Sequence, residues 1–514
     1  QSEIAVHSMV DFFLLLMLSG AGDELQGIKR GIMEMADAIA ITKADGDNIL
    51  NSKKAKQRYK NAMHLFPANS NNWTPEVTSC SALENEGAKN IWKIIEKFER
   101  HTKLKGYFTQ NRSKQAKYWM YEKINDELKR RFYENEEIYQ QELDAIFYKE
   151  WLFAANECEI PATGDYITLT VATTPIIIIR DQDSVIRAFL NTCRHRGSRL
   201  CQKESGNTTR LVCPYHQWTY DLSGNLLATR YMGDDFLNED FPLKKVHLEN
   251  IEGLMYICLA ETPPDIEHFK KSITPYIAPH QPFKTKVAFE STMIEDANWK
   301  LVIENNRECY HCTGAHPELL VSLIEMALPD DDRNGSEFDI MQKKSQDWDT
   351  LGFPNKPVDG GLEFRCIRLP FVEGVKSMTL DGELACKKLL GDLIEPDLGS
   401  VRMFRIPNNW HHFLSDHILH FRVLPLGPNK TEVRTTWLVH ENALEGWDYD
   451  VKRLSEVWLA TNNQDRHLAE ENQRGILSVG FEPGPYSKVA EFMADNFVRW
   501  YKDQMQAHLC SKKG

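Results

Sequence analysis

Four residues of this chain have the types and the spacing to hold a metal cluster: Cys193, His195, Cys213 and His216. They read C-x-H and, after a gap of seventeen residues, C-x-x-H. Two thiolates and two imidazoles on paired clamps suit a [2Fe–2S] cluster with cysteines on one iron and histidines on the other. Histidine is neutral where cysteine is anionic. Such a cluster carries less negative charge and is easier to reduce than an all-cysteine one. Zinc is the competing metal, but its Cys2His2 sites usually pair two cysteines and then two histidines, whereas each clamp here mixes them. Without a metal, the four would be buried cysteines and surface histidines. Gly197 and Pro214 are residues that bend a backbone tightly, and tight loops can aim several N–H groups at cluster sulfurs.

A second set lies in 298–318, NWKLVIENNRECYHCTGAHPE. His311 and His316 are five apart, with Glu308 three before the first. On a helix, three residues bring Glu308 and His311 to one face, and His316 joins them if the helix loosens near Thr313-Gly314. Two histidines and one carboxylate on one face leave positions open for dioxygen, the facial geometry of non-haem Fe(II) sites. Glu304, on the same segment, competes for the carboxylate role. Cys309-x-x-Cys312 interleaves with these histidines and reads as incidental.

At 514 residues the chain exceeds one ordinary domain, so two to four are expected. Its 42% hydrophobic and 26% charged residues are globular values. A formal charge of −13, with Lys and Arg scattered, argues against a nucleic-acid partner. The apolar run Phe12 to Leu18 is far too short to span a bilayer, and no secretory leader opens the sequence. A cytoplasmic protein without a membrane partner is expected. The start at Gln1 rather than Met fits a truncated fragment. Of the eleven cysteines two belong to the cluster clamps, and in a reducing compartment the other nine, Cys309 and Cys312 included, are expected as free thiols.

The elements that must position these residues differ along the chain. Phe12–Leu18, Ala38–Ile41 and Glu76–Cys80 read as strands, with a helix over Asp23–Met35 between the first two. That alternation predicts a partial parallel α/β segment over 1–132, closing on a helical stretch from Gln110 to Phe132. After Tyr133 a short amphipathic helix, Gln141–Trp151, precedes strand-sized pieces separated by turn signals such as Ala162-Thr163-Gly164-Asp165 and Leu222-Ser223-Gly224-Asn225. This is an antiparallel β region, with the cluster clamps in two of its loops. Ile176 to Ile179 reads as a buried strand.

The segments CRHRGSR (193–199) and CPYHQWTY (213–220) resemble the Rieske domain of Rieske-type non-haem iron oxygenases. The likeness extends over about 133–514, through NWKLVIENNRECYHC, DGELACKKLLG and LAEENQRGILS followed by EPGPYS, and is closest to the branch that demethylates glycine betaine. It implies an α+β chain: an antiparallel β Rieske domain (133–275) and a helix-grip catalytic domain (276–514), preceded by the partial α/β segment. It implies a [2Fe–2S] cluster on the four clamp residues and a mononuclear non-haem Fe(II) on His311, His316 and Asp465. Asp465 lies in NNQDRH, which is similar to the C-terminal helix that carries the family's third ligand. Glu308 then becomes an electron bridge between a neighbouring subunit's cluster histidine and the iron. The family usually has Asp there, and Glu is implied for the branch acting on quaternary ammonium compounds.

The same resemblance implies a homotrimer, dioxygen as co-substrate and a separate NAD(P)H-dependent, ferredoxin-type flavin reductase. Hydroxylation of an N-methyl group would give dimethylglycine and formaldehyde. Carnitine, choline and proline betaine are alternative substrates. A trimethylammonium group donates no hydrogen bond and is expected against aromatic faces, for which Phe404, Trp410 and Phe413 are candidates. Ordinary strand packing is the other reading of those three. The substrate carboxylate finds no evident partner.

Thr42-Lys43-Ala44-Asp45 and Ser81-Ala82-Leu83 resemble the guanine-recognition loops of GTPases, and 9–45 resembles the GTPase family that chaperones cobalamin-dependent mutases. No G-x-x-x-x-G-K-[ST] occurs, so GTP hydrolysis is not expected. The segment reads as a remnant or a fusion. A GTPase-type metallochaperone joined to a redox module is the alternative from another class.

Overall fold

The structure is a computed structural model, and it describes residues 10–19, 33, 35–63, 73–109, 111–112, 130–324 and 334–511. The chain divides into two compact units, 1–128 and 129–514. In the first, β1 (Leu14–Leu18), β2 (Ala38–Thr42) and β3 (Glu76–Ser79) form a parallel sheet in that order, beside helices α1 (Ile49–Met63) and α2 (Ala88–Leu104). The expected strands are all present and parallel. The Asp23–Met35 helix and the Gln110–Phe132 stretch fall largely outside the described residues.

The second unit opens on α3 (Glu136–Glu142), whose Asn135 side chain accepts from the Ile138 N–H as an N-cap. The helix begins earlier than expected. It loosens into a π-turn over Leu143–Phe147 and ends before Trp151. The apolar residues of 143–147, expected on one face of a short amphipathic helix, are instead buried all round in that turn. Its capping carboxylate-rich turn also places Glu142 in the interior. There Glu142 takes hydrogen bonds from Lys300 (2.5 Å), Trp299 (2.8 Å) and Tyr501 (2.6 Å). A buried charge of this kind is tolerable only when paired, and this network ties the turn to residues 299–300 and to Tyr501.

Two seven-stranded sheets follow. The first has the order β4-β13-β12-β7-β6-β5-β8, with β4 (Leu152–Asn156), β5 (Asp165–Val171), β6 (Thr174–Arg180), β7 (Ile186–Leu190), β8 (Ser205–Asn207), β12 (Lys245–Ile251) and β13 (Leu254–Cys258). Its pairings are antiparallel. Ile176 to Ile179 lie in β6, fully buried on both faces, which is why they run on without alternating. A small sheet of β9 (Leu211–Val212), β10 (Thr219–Tyr220) and β11 (Leu226–Ala228) carries the second clamp.

The second large sheet has the order β14-β20-β19-β18-β17-β16-β15. Its strands are β14 (Thr285–Glu295), β15 (Val358–Asp359), β16 (Phe364–Leu369), β17 (Ser400–Arg405), β18 (Asn409–Phe413), β19 (Ile418–Gly427) and β20 (Lys430–His440). In chain order its helices are α4 (Glu267–Ile277), α5 (Trp299–Asn306), α6 (Cys312–Ala315), α7 (Asn334–Leu351), α8 (Val451–Ile476) and α9 (Phe492–Ser511). Helix α8 is pinned across the sheet by Asn462, which donates to Thr435 Oγ1 at 3.0 Å, and by Gln473, which accepts from the Asn298 N–H at 2.9 Å. Phe364, Cys366, Val401, Met403 and Phe413 enter one hydrophobic core with α4. The intervening residues face the other way. Among the described residues no helix is long and apolar enough to cross a membrane.

Candidate metal centres and substrate cavity

The two cluster clamps have the same backbone. In the first, the Cys193 carbonyl accepts from the Gly197 N–H (3.0 Å) and the Cys193 N–H donates to Ser198 (2.8 Å). In the second, the Cys213 carbonyl accepts from Gln217 (3.0 Å) and the Cys213 N–H donates to Trp218 (2.8 Å). Each loop closes on a left-handed residue, Gly197 at φ +79° and Gln217 at φ +60°. The second bend therefore rests on Gln217 as well as on Pro214, and spacing alone gave no sign of that.

Cys193 and Cys213 are buried in the core with Trp218, Tyr220 and Leu222, while His195 and His216 stand half-buried at its edge. The histidines face each other through Nδ1, 3.1 Å apart. His195 stacks on Trp218 with ring centroids 4.8 Å apart. The Tyr220 hydroxyl lies 3.6 Å from Cys193 Sγ and accepts from the Arg194 N–H at 3.1 Å. Tyr220 was not anticipated, although its place seven residues after Cys213, on the strand that leaves the clamp, puts it back under the first loop. The donor set fits a cluster: two sulfurs inside, and two inward-facing nitrogens nearer solvent.

The second site gathers residues from two elements. Helix α5 stops at Asn306, so Glu308 is not on a helix face as expected. It caps the turn that follows, accepting from the backbone N–H of Tyr310 and of His311. It also meets His311 Nδ1 through Oε1 at 2.6 Å. His311 and His316 flank the single turn α6. Their Nε2 atoms are 3.0 Å apart, and Asp465 Oδ1 from α8 lies 3.3 Å from the first and 3.0 Å from the second. Gln464 holds His316 Nδ1 at 2.8 Å and is itself bound to Glu318.

Those outer contacts assign the ring protons. A carboxylate and an amide oxygen on the two Nδ1 atoms leave both Nε2 lone pairs aimed at Asp465 Oδ1, which is buried and receives no hydrogen bond. Three electron-rich atoms crowded at 3.0 to 3.3 Å fit a shared cation. Ligand bonds of about 2.1 Å at about 90° put neighbouring donors about 3.0 Å apart. Cys312 is near both histidines, but its sulfur is bonded to Cys309. The expected free thiols at these positions are thus a disulfide: the turn after α5 brings the two Cα atoms to 4.9 Å.

Glu304 is not a competitor for the metal. It faces away from the histidines and accepts from the Tyr133 and Tyr486 hydroxyls, each at 3.0 Å.

A cavity of about 670 Å³ opens over the three converging residues. Arg365 and Ile367 of β16, Arg402 and Phe404 of β17, and Trp410 and His412 of β18 line it, alternating with the core-facing residues. Phe413 does not. It is three residues from Trp410, hence on the opposite face of the strand, and fully buried in the core. That parity was available in the sequence once the strand was recognised. Phe404 lines the cavity, but the Arg307 guanidinium covers its ring at 3.8 Å. Trp458 of α8 and Phe492 of α9 add aromatic surface that the sequence did not single out.

The description "Rieske [2Fe-2S] domain" matches residues 150–245, and "Ring hydroxylating alpha subunit (catalytic domain)" matches 283–507. The glycine betaine monooxygenase oxygenase subunit of Chromohalobacter salexigens is 49% identical over 380 residues, 74% of this chain and 85% of that one. The protein of that name from Pseudomonas aeruginosa is 47% identical, over 74% of this chain and 89% of that one. The chain belongs to the Rieske non-haem iron oxygenases. Its cofactors are accordingly a Rieske [2Fe–2S] cluster and a mononuclear non-haem iron. Solved members share the fold. The quaternary ammonium Rieske monooxygenase CntA with substrate γ-butyrobetaine gives a TM-score of 0.54 at 22% identity, covering 74% of this chain and 94% of that one. Naphthalene 1,2-dioxygenase from Rhodococcus sp. gives 0.54 at 20%, covering 75% and 96%.

"Methylmalonyl Co-A mutase-associated GTPase MeaB" matches residues 1–137. There the two loops that resemble guanine-recognition loops are adjacent. Ser81 Oγ donates to the Asp45 carboxylate, and the Ala44 N–H donates to the Cys80 carbonyl at 3.1 Å.

Proposed function

We propose that this oxygenase N-demethylates glycine betaine. What carries the substrate is the 49% identity, over 380 residues, to an oxygenase subunit named for glycine betaine. Cys193, His195, Cys213 and His216 would hold the cluster, and His311, His316 and Asp465 the iron. When bound, these groups supply one-electron transfer and dioxygen chemistry.

The chain's own residues do the rest. Gln464 and Glu308 orient the two iron histidines. The aromatic lining accepts a trimethylammonium group and keeps bulk water from the reacting methyl. Glu308 serves as the bridge, with its His311 contact as one half and a cluster histidine of a neighbouring subunit as the other. Dioxygen, two electrons and two protons convert one N–CH3 to N–CH2OH and water. The carbinolamine then breaks its C–N bond to give dimethylglycine and formaldehyde.

The domain division 133–275 and 276–514, a trimeric assembly, an NAD(P)H-dependent flavin reductase as electron donor and a cytoplasmic location belong to the same proposal. Carnitine is the second reading, because a carnitine monooxygenase oxygenase subunit from Acinetobacter baumannii is 33% identical over 36% of this chain.

The test is a single turnover. Chemically reduced, anaerobic protein receives dioxygen with glycine betaine, and formaldehyde is assayed against carnitine and choline. Formaldehyde with glycine betaine alone is expected. Release only with another amine keeps the chemistry and replaces the substrate.

A further inference from the structure

We infer that Arg402 is the carboxylate anchor of the cavity and that it selects N-methylated zwitterions over plain quaternary ammonium cations. This rests on the demethylase reading and supplies the partner that the sequence left unplaced.

Arg402 lies mid-strand in β17, on the cavity side with Phe404. Its cross-strand neighbours, Ile367 and His412, line the cavity as well. The other arginines of this sheet have partners. Arg405 lies 3.5 Å from Glu150 and 3.4 Å from Glu363, and Arg365 lies 3.6 Å from Asp359. Arg422 donates to the Ala154 carbonyl and pairs with Glu432, and Arg368 donates to two backbone carbonyls. Arg434 pairs with Glu290 and Glu159. Among the described residues Arg402 forms no ion pair, and its Nε is buried without a hydrogen-bond partner.

A guanidinium withdrawn from water and left unpaired is costly, and a planar fork of five donors matches a carboxylate through two parallel hydrogen bonds. The cavity's own carboxylates do not serve it, since Glu308 and Asp465 are both engaged with histidines. Burial lowers Arg402 only to about 10, so it stays charged at neutral pH. Its neighbour His412 is held neutral by burial and by Arg402 itself, and competes for no anion. A ligand that brings its own carboxylate completes the site. Choline, which has none, leaves the guanidinium unpaired. Sites built to hydrogen-bond one group reject analogues lacking it more strongly than sites that only measure size.

The experiment measures binding of glycine betaine and of its neutral carboxamide to iron-loaded protein by calorimetry. It compares wild type, Arg402→Gln and Arg402→Lys, with iron content and melting temperature recorded for each. Wild type is expected to prefer glycine betaine by about 30-fold, the size of a lost charge-assisted hydrogen bond. Arg402→Gln should lose that preference while binding the carboxamide as before, and Arg402→Lys should recover part of it. In turnover, Arg402→Gln should raise KM more than it lowers kcat. Arg402→Gln with normal iron and the preference intact overturns the inference. So does wild type that demethylates glycine betaine yet binds the carboxamide equally well, a result that needs no variant to fold. Wild type that binds neither compound and releases no formaldehyde overturns the demethylase reading and the anchor together.

Discussion

The two histidine pairs face inward through different ring nitrogens. At the clamps, His195 and His216 meet through Nδ1, with the rings half-buried at the surface. Over the cavity, His311 and His316 meet through Nε2, and each Nδ1 is tied back to Glu308 or Gln464. The difference matches the tasks proposed for them. A cluster that exchanges electrons with other proteins gains from an outward Nε2 at the surface. An iron that must keep open positions gains from ligands whose orientation is locked by a second hydrogen bond. The outward nitrogen of one pair and the Glu308-bound nitrogen of the other are the two ends a bridge would join.

Asp465→Ala should separate the sites most sharply. Iron is expected to fall from three atoms per chain to two, with turnover lost and the visible and EPR spectra of the cluster unchanged. Loss of the cluster signal as well would show that the two sites do not load independently. Glu308→Gln should retain all the iron but slow substrate-triggered reoxidation of the cluster by about 100-fold, because a neutral amide is a weaker acceptor for His311. Stopped-flow absorbance in the presence of dioxygen reads this directly, and reoxidation at the wild-type rate would remove Glu308 from the electron route.

The twin clamps give smaller tests. Gly197→Ala should cost about 1–2 kcal/mol from its positive φ alone, because the added Cβ meets nothing closer than Thr192 Cγ2 at 4.0 Å. Gln217→Gly, at the equivalent position, should gain a few tenths of a kcal/mol to about 1 kcal/mol. Denaturant melts of the two variants moving in the same direction would break the equivalence of the loops. Tyr220→Phe removes a donor to one cluster sulfur and should lower the cluster potential by a few tens of millivolts, measured by redox titration.

The mildest effect concerns the carboxylate that does not touch metal. Burial raises Glu304 from an ordinary 4.5 to about 7, against the hydrogen bonds from Tyr133 and Tyr486. The folded chain holds this proton more tightly than the unfolded one. Its contribution to stability is complete below about pH 4.5 and is lost as pH rises through about 7. Glu304→Gln should therefore flatten the decline in melting temperature between pH 5 and pH 7.5. An unchanged slope would mean that Glu304 is already ionised in the folded chain.

The sequence by itself pointed to the four clamp residues and to His311 and His316 with Glu308, to the parallel strands of the first unit and to the antiparallel regions that follow. Clamp spacing is a local property, and strands announce themselves through turn residues and apolar runs. Glu308, His311 and His316 lie within nine residues, so one turn could bring them together. Other features were decided only by tertiary structure. Asp465 comes from a helix about 150 residues downstream, and composition cannot tell it from the surface carboxylates around it. Gln464 and Tyr220 matter only through the ring or sulfur they touch. Strand parity sets Trp410 and Phe413 on opposite faces, but which of those faces meets the cavity was decided by packing, which admits Trp410 and turns Phe413 into the core. Glu304 and Glu308 differ by four positions, yet where α5 ends sends one to two tyrosines and the other to His311. Arg402 looks like any arginine in a strand. The role inferred for it rests on its forming no ion pair among the described residues, and only the packing of three neighbouring strands determines that.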